Sequence, residues 1–190
     1  AQSGKDVIWI PTRDALVVKM LRMAGTTHED VVVDLGSGDG KIPIIAARDF
    51  GATARGIEFD PRMVRLARCY AAAEGVAERA TFVEGDIFAT QFDDATVVTL
   101  YLLPELNLRL RPRLLAMRPG TRVVSHDYDM GDWTPDEVDL TLGGQALAWV
   151  VPARVAGRWS FRERDGTGEF AARLEQAHQH LGGTVRVDGE

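Results

Sequence analysis

The chain is poor in several things, and each absence excludes a class. Among its 190 residues there is one cysteine, Cys69, so no intrachain disulfide can form. No apolar run approaches the ~20 residues of a membrane-spanning helix, so no membrane span is expected. Positive charge is in deficit, with 22 Lys and Arg against 28 Asp and Glu and a net charge of -6. That balance argues against a protein that lives on a nucleic-acid backbone, and no nucleic-acid partner is expected. There is no internal repeat, no low-complexity segment and no linker long enough to divide the chain. One domain over residues 1–190 follows, with a core of about 5–165 and a C-terminal helix and strand over 166–190. The 45% hydrophobic and 26% charged residues are ordinary for a folded domain and exclude a disordered one.

What is present alternates. Runs at 31–33, 54–59, 81–83, 95–101 and 121–125 read as strands. Helical patterns fall between them, with Asp60 as a cap and Pro61 at a first helical position. Before the first strand, Thr12 is an expected N-cap for a helix that Gly25 ends. Pro104 opens a Leu- and Arg-rich helix that Pro112 is expected to kink or split. Alternating strands and helices imply an α/β fold, doubly wound and Rossmann-like, with a mostly parallel sheet. After residue 126 the alternation stops. Residues 146–151 and 158–162 read as an antiparallel C-terminal strand pair closing that sheet, 170–181 as a helix and 184–187 as a last strand.

The strongest local signal is Val31-Val32-Val33-Asp34-Leu35-Gly36-Ser37-Gly38-Asp39-Gly40. A glycine-rich turn after the first strand lets a ligand approach the backbone, and the next helix offers unpaired N–H groups. A dinucleotide fingerprint needs Gly-x-Gly-x-x-Gly, but the sixth position from Gly36 is Lys41. The spacing is Gly-x-Gly-x-Gly, preceded by an acid. Asp34 repels a pyrophosphate and suits the ammonium of an amino-acid ligand such as the methionyl part of S-adenosylmethionine. Glu58, ending the second strand, is placed to accept from both ribose hydroxyls, and Asp86, after the third, from the adenine amino group. Ile57, Phe59, Ile87 and Phe88 are candidates to sandwich the adenine ring. A nicotinamide or other nucleotide ligand remains open, since Glu58 also fits a dinucleotide ribose.

These segments, Asp34-Leu35-Gly36-Ser37-Gly38-Asp39-Gly40, Gly56-Ile57-Glu58-Phe59-Asp60 and Glu84-Gly85-Asp86, resemble the first three motifs of the seven-strand (class I) S-adenosylmethionine-dependent methyltransferases. The lead-in Trp9-Ile10-Pro11-Thr12 and Leu102-Leu103-Pro104 are similar to a bacterial group related to the mitochondrial lysine methyltransferases of the ATP synthase c-subunit and the adenine nucleotide translocase. The resemblance implies S-adenosyl-L-methionine as cofactor, held by Asp34, Gly36, Ser37, Gly38, Ile57, Glu58, Phe59, Asp86 and Ile87, with Pro11 and Thr12 closing over its methionyl end. It also implies a methyl acceptor that is a protein lysine. A small-molecule methyltransferase and a non-catalytic donor-binding protein stand as alternatives. The chain starts Ala1-Gln2-Ser3 without methionine. A removed export signal is one explanation, but the donor is a cytosolic metabolite, and the cytoplasm is the expected compartment.

Acceptor-side candidates fall after the fourth and fifth strands: Tyr101, His126 and Asp127. Tyr101 can orient a lone pair, and His126 can act as a general base near neutral pH. Asp127, Tyr128, Asp129, Asp132 and Trp133 form an acidic and aromatic cluster that suits a cationic acceptor; the alternative is a solvated loop with Trp133 as a lid. No metal site is expected. Arg109, Arg111 and Arg113 read as a solvated helix face, His178 and His180 as helical residues on different faces, and Cys69 as a small buried hydrophobe.

Overall fold

In the computed structural model, residues 12–140, 144–162 and 168–187 are described. Helix α1 spans Asp14–Met23 and buries Leu16, Val17, Met20 and Leu21, one stripe at helical spacing. Its N-cap position is Arg13, with no side-chain cap. Thr12 is therefore not the cap; its hydroxyl is engaged elsewhere.

The main sheet is built from β1 (Val31–Leu35), β2 (Thr53–Glu58), β3 (Ala80–Glu84), β4 (Val97–Leu100), β5 (Arg122–His126), β6 (Glu137–Asp139) and β7 (Ala146–Val150), in the order β3-β2-β1-β4-β5-β7-β6. Strands β1 to β5 pair in parallel, and β7 runs antiparallel to β5 and β6. Helices α2 (Lys41–Phe50), α3 (Pro61–Ala73) and α4 (Pro104–Leu114) lie in the crossovers. The strand order reverses at β1, so the carboxyl ends of β1 and β4 diverge into a crevice where such folds bind ligands.

Successive residues of β1 feed opposite faces. Val32 packs with the buried stripes of α1, α2 and α3, whereas Val33 and Leu35 pack with Leu106, Leu110 and Leu114 of α4 and with Trp133 and Trp149. A strand covered on both sides must be apolar along its length, and Val-Val-Val is. Asp60 caps α3 by accepting from the Arg62 amide at 2.8 Å.

Pro112 does not split α4; it sits in the last turn, and the helix runs on to Leu114. Other expectations fail. Residues 146–151 and 158–162 are not partners. Strand β7 stays in the main sheet, and β8 (Gly157–Arg162) begins a second antiparallel sheet with β9 (Glu169–Ala177) and β10 (His180–Val187). The helix expected over 170–181 is thus two strands, the second of which contains the expected strand 184–187. Glu169, Arg173 and Glu175 alternate with Phe170, Ala172 and Leu174, a period of two, and cross-strand pairing overrides the helix propensity of Ala, Arg, Leu and Glu. His178 then lies in the β9–β10 turn with a positive φ of 53°, and His180 opens β10. Cys69 is exposed rather than buried.

Among the described residues no helix is long and apolar enough to cross a membrane, and no group of three or more His, Cys, Asp or Glu is arranged to hold a metal ion.

Candidate active site

The β1–α2 turn and the ends of β2, β4 and β5 converge at the crevice. Gly36, Gly38 and Gly40 all have φ between 54° and 83°, the left-handed region where glycine carries no Cβ penalty. The turn is tied to β2, because the Gly36 and Ser37 amides donate to the Ile57 carbonyl at 2.9 and 3.1 Å. Gly56 is required by close approach: a Cβ there would strike Ser37 Oγ and the Phe82 ring.

Asp34 is buried at 3% exposure. Its carboxylate accepts from the Thr99 hydroxyl at 2.6 Å. Burial pushes its carboxyl up to about 7; the Thr99 hydrogen bond opposes this, and the negative charges of Glu58 and Asp39 add to it. A carboxylate held at that cost awaits a cation. Glu58 is fixed by two backbone donors, Gly38 N at 2.9 Å on Oε2 and Asp60 N at 2.8 Å on Oε1. Each oxygen retains a second lone pair. Asp86 accepts from the Phe88 amide at 2.9 Å, which sets the loop after β3. Ser37 Oγ is buried and has no hydrogen-bond partner.

The adenine candidates separate. Phe59 is 48% exposed, and Ile87 and Phe88 are partly buried against the core. Ile57 is fully buried within the core. Its carbonyl holds the glycine turn. Pro11 lies outside the described residues.

On the acceptor side, the Tyr101 and His126 rings are 3.9 Å apart between centroids, and Tyr128 stacks on Tyr101 at 6.2 Å. Both nitrogens of His126 are engaged: Nδ1 lies 3.0 Å from Thr12 Oγ1, and Nε2 lies 3.4 Å from Asp127 Oδ2. Burial lowers the His126 pKa, against the pull of Asp127. Burial also raises Tyr101, with Asp127 and Tyr128 adding to it. Asp127 has a φ of 63° and accepts from the Gln145 amide at 2.7 Å.

Several polar residues missed by sequence reasoning organise this site. Thr99 is a lone hydroxyl in the buried strand Val97–Leu100, the one local signal it offers. Asn107 on α4 is fully buried and donates to the Tyr128 and Asp129 carbonyls at 3.0 and 3.2 Å, fixing the loop that carries Asp127. Lys41 Nζ donates to the Thr12 carbonyl.

The lid alternative is also wrong. Trp133 is fully buried against Trp149, whose indole N–H donates to the Trp133 carbonyl at 2.7 Å. The three arginines are occupied rather than free. Arg109 lies 3.9 Å over the Phe88 ring, Arg113 lies 3.9 Å over Phe92 and pairs with Asp93, and Arg111 binds Asp132 and the Met130 carbonyl.

The chain is similar to known methyltransferases. A family model described as the ANTKMT methyltransferase domain matches residues 34–137. A protein-lysine N-methyltransferase of Saccharolobus islandicus (strain REY15A) is 42% identical over 134 residues, covering 70% of this chain and 83% of that protein. A lysine N-methyltransferase of the ATP synthase c-subunit, from Homo sapiens, is 37% identical over 138 residues, covering 72% of this chain. This chain spans 56% of that human protein. Among solved structures, an RNA methyltransferase from Salinibacter ruber in complex with S-adenosyl-L-homocysteine is similar at a TM-score of 0.75 and 48% identity, over 77% of this chain and 96% of that one.

Proposed function

We propose that this chain, which belongs to the ANTKMT methyltransferase domain family and is an S-adenosylmethionine-dependent methyltransferase, methylates the side-chain nitrogen of a protein lysine. On the donor side, Asp34 takes the methionyl ammonium, Glu58 the ribose hydroxyls and Asp86 the adenine amino group, with Phe59, Ile87 and Phe88 beside the ring. The buried Asp34, which pairs with no cation among the described residues, fits such a ligand. When bound, the donor supplies a methyl group on a sulfonium, open to in-line attack.

The observation that carries the acceptor reading is the aromatic group Tyr101, His126 and Tyr128 with the Asp127 carboxylate beside it. Aromatic faces and a carboxylate attract a cationic side chain and hold its chain in line. The ammonium must first release a proton to water, because only the neutral amine has a lone pair to form the new N–C bond. His126 is engaged at both nitrogens, so it acts as a wall and a positioning group and does not take that proton. The names of the lysine-methylating relatives support the same class.

An RNA acceptor, the class for which the Salinibacter protein is named, is disfavoured by the occupied arginines and the net charge of -6. Phosphate contacts need free cations. The test is tritiated methyl transfer into heat-treated cell lysate, split into protease-treated and ribonuclease-treated arms. Protease-sensitive counts that hydrolyse to methyl-lysine are expected. Ribonuclease-sensitive counts refute the lysine reading.

A further inference from the structure

Helix α2 opens on a cation, with Asp39 just before it accepting from the Lys41 amide at 3.3 Å. Its N-cap, Gly40, is left-handed with no side-chain cap, and its first turn carries no acid. Its first residue is Lys41, a cation at the positive end of the helix dipole, where charge of that sign is disfavoured. A cation at that end is explained by what its ammonium reaches.

The Lys41 ammonium makes two contacts to the segment before α1 and into its first turn. Nζ donates to the Thr12 carbonyl at 3.0 Å and pairs with Asp14 Oδ1 at 3.0 Å. Thr12 itself is buried at 5% exposure, and its hydroxyl meets His126 Nδ1 at 3.0 Å. One residue is thus held from two sides. Its carbonyl is tied to the helix that opens at the donor turn, and its hydroxyl to the end of β5 on the acceptor side.

We propose that Lys41 is a positioning residue: it clamps the segment 12–14 across the donor turn and so couples donor binding to the placement of His126. The proposal rests on the donor reading above. Lys41 touches neither donor nor acceptor; it works through Thr12. The Asp14 partner is 72% exposed, so the ion pair itself contributes little stability. What the clamp contributes is the closed position of Thr12.

The experiment compares Lys41→Met, Lys41→Arg and Thr12→Val in the intact chain. S-adenosylhomocysteine affinity is measured by calorimetry, and methyl transfer into heat-treated lysate protein is followed against donor concentration. Lys41→Met is expected to weaken affinity by about tenfold, the scale of one hydrogen bond to a charged donor. The half-saturating donor concentration should rise in step, while the rate at saturation and the melting temperature of the donor-free protein stay near wild type. Lys41→Arg should restore most of the affinity, since a guanidinium can reach the same carbonyl. Adding Thr12→Val to Lys41→Met should cost less than Thr12→Val costs alone, because the carbonyl and hydroxyl contacts both act through the placement of Thr12. Affinity of Lys41→Met within twofold of wild type, or a loss that arginine does not restore, overturns the clamp. A wild-type chain that binds no S-adenosylhomocysteine overturns the donor reading, and the clamp with it.

Discussion

Donor affinity should depend on pH through Asp34, and the size and sign follow from its burial. In the donor-free protein the Asp34 carboxyl sits at about 7, chiefly because burial penalises the charge. The donor ammonium binds the ionised form, so binding near neutral pH must expel a proton. Affinity should fall by about tenfold between pH 7.5 and pH 6, where only about one Asp34 in ten is ionised. Calorimetry at pH 6.5 in buffers of different ionisation enthalpy counts that proton directly. Stability moves the other way. The folded pKa is raised above the ordinary value of 3.8, so the cost of burying the charge is absent below about pH 4 and grows as pH rises to 7. Above pH 7 it amounts to about 4 kcal/mol. Asp34→Asn removes that cost while keeping an oxygen for Thr99. It should raise the donor-free melting temperature at pH 8, weaken donor binding and abolish its pH dependence. Wild-type affinity that is flat from pH 6 to 7.5, with no proton released, refutes the reasoning.

Three further outcomes are expected. Glu58→Ala removes the acceptor of the Gly38 and Asp60 amides as well as the ribose partner. Donor binding should weaken by about 1–3 kcal/mol, and an unchanged calorimetric affinity sinks that assignment. Asn107→Ala frees the loop at 125–129, at a stability cost of about 2 kcal/mol. The half-saturating acceptor concentration should rise with donor affinity unaltered, and equal effects on both substrates contradict the role given to Asn107. Trp133→Ala should cost about 3–5 kcal/mol in denaturant unfolding, the range for a buried Trp; a surface lid would cost far less.

The parallel half of the fold is legible because its signals are local. Buried strands read as Val-rich runs, Asp60-Pro61 marks a helix start, and the glycine spacing after Asp34 separates one ligand class from another. Glu58 and Asp86 stand out by their place after successive strands. The C-terminal half misleads because 170–181 carries strong helix formers on a two-residue alternation, and only pairing with 157–162 decides between the periods. Trp133 escapes the sequence for a related reason: an apolar side chain in a loop gives no sign of which side the core lies on.

The sequence by itself determined the strand–helix alternation, the glycine turn and the acids at the strand ends, since each depends on backbone conformation and neighbours a few residues away. Only the tertiary structure decided the polar contacts that tune the site. Thr99 meets Asp34 across 65 positions, Lys41 meets Thr12 across 29 and Asn107 meets Tyr128 across 21. Hydrogen bonds act over about 3 Å of space, and no sequence spacing encodes them until the sheet has closed the distance.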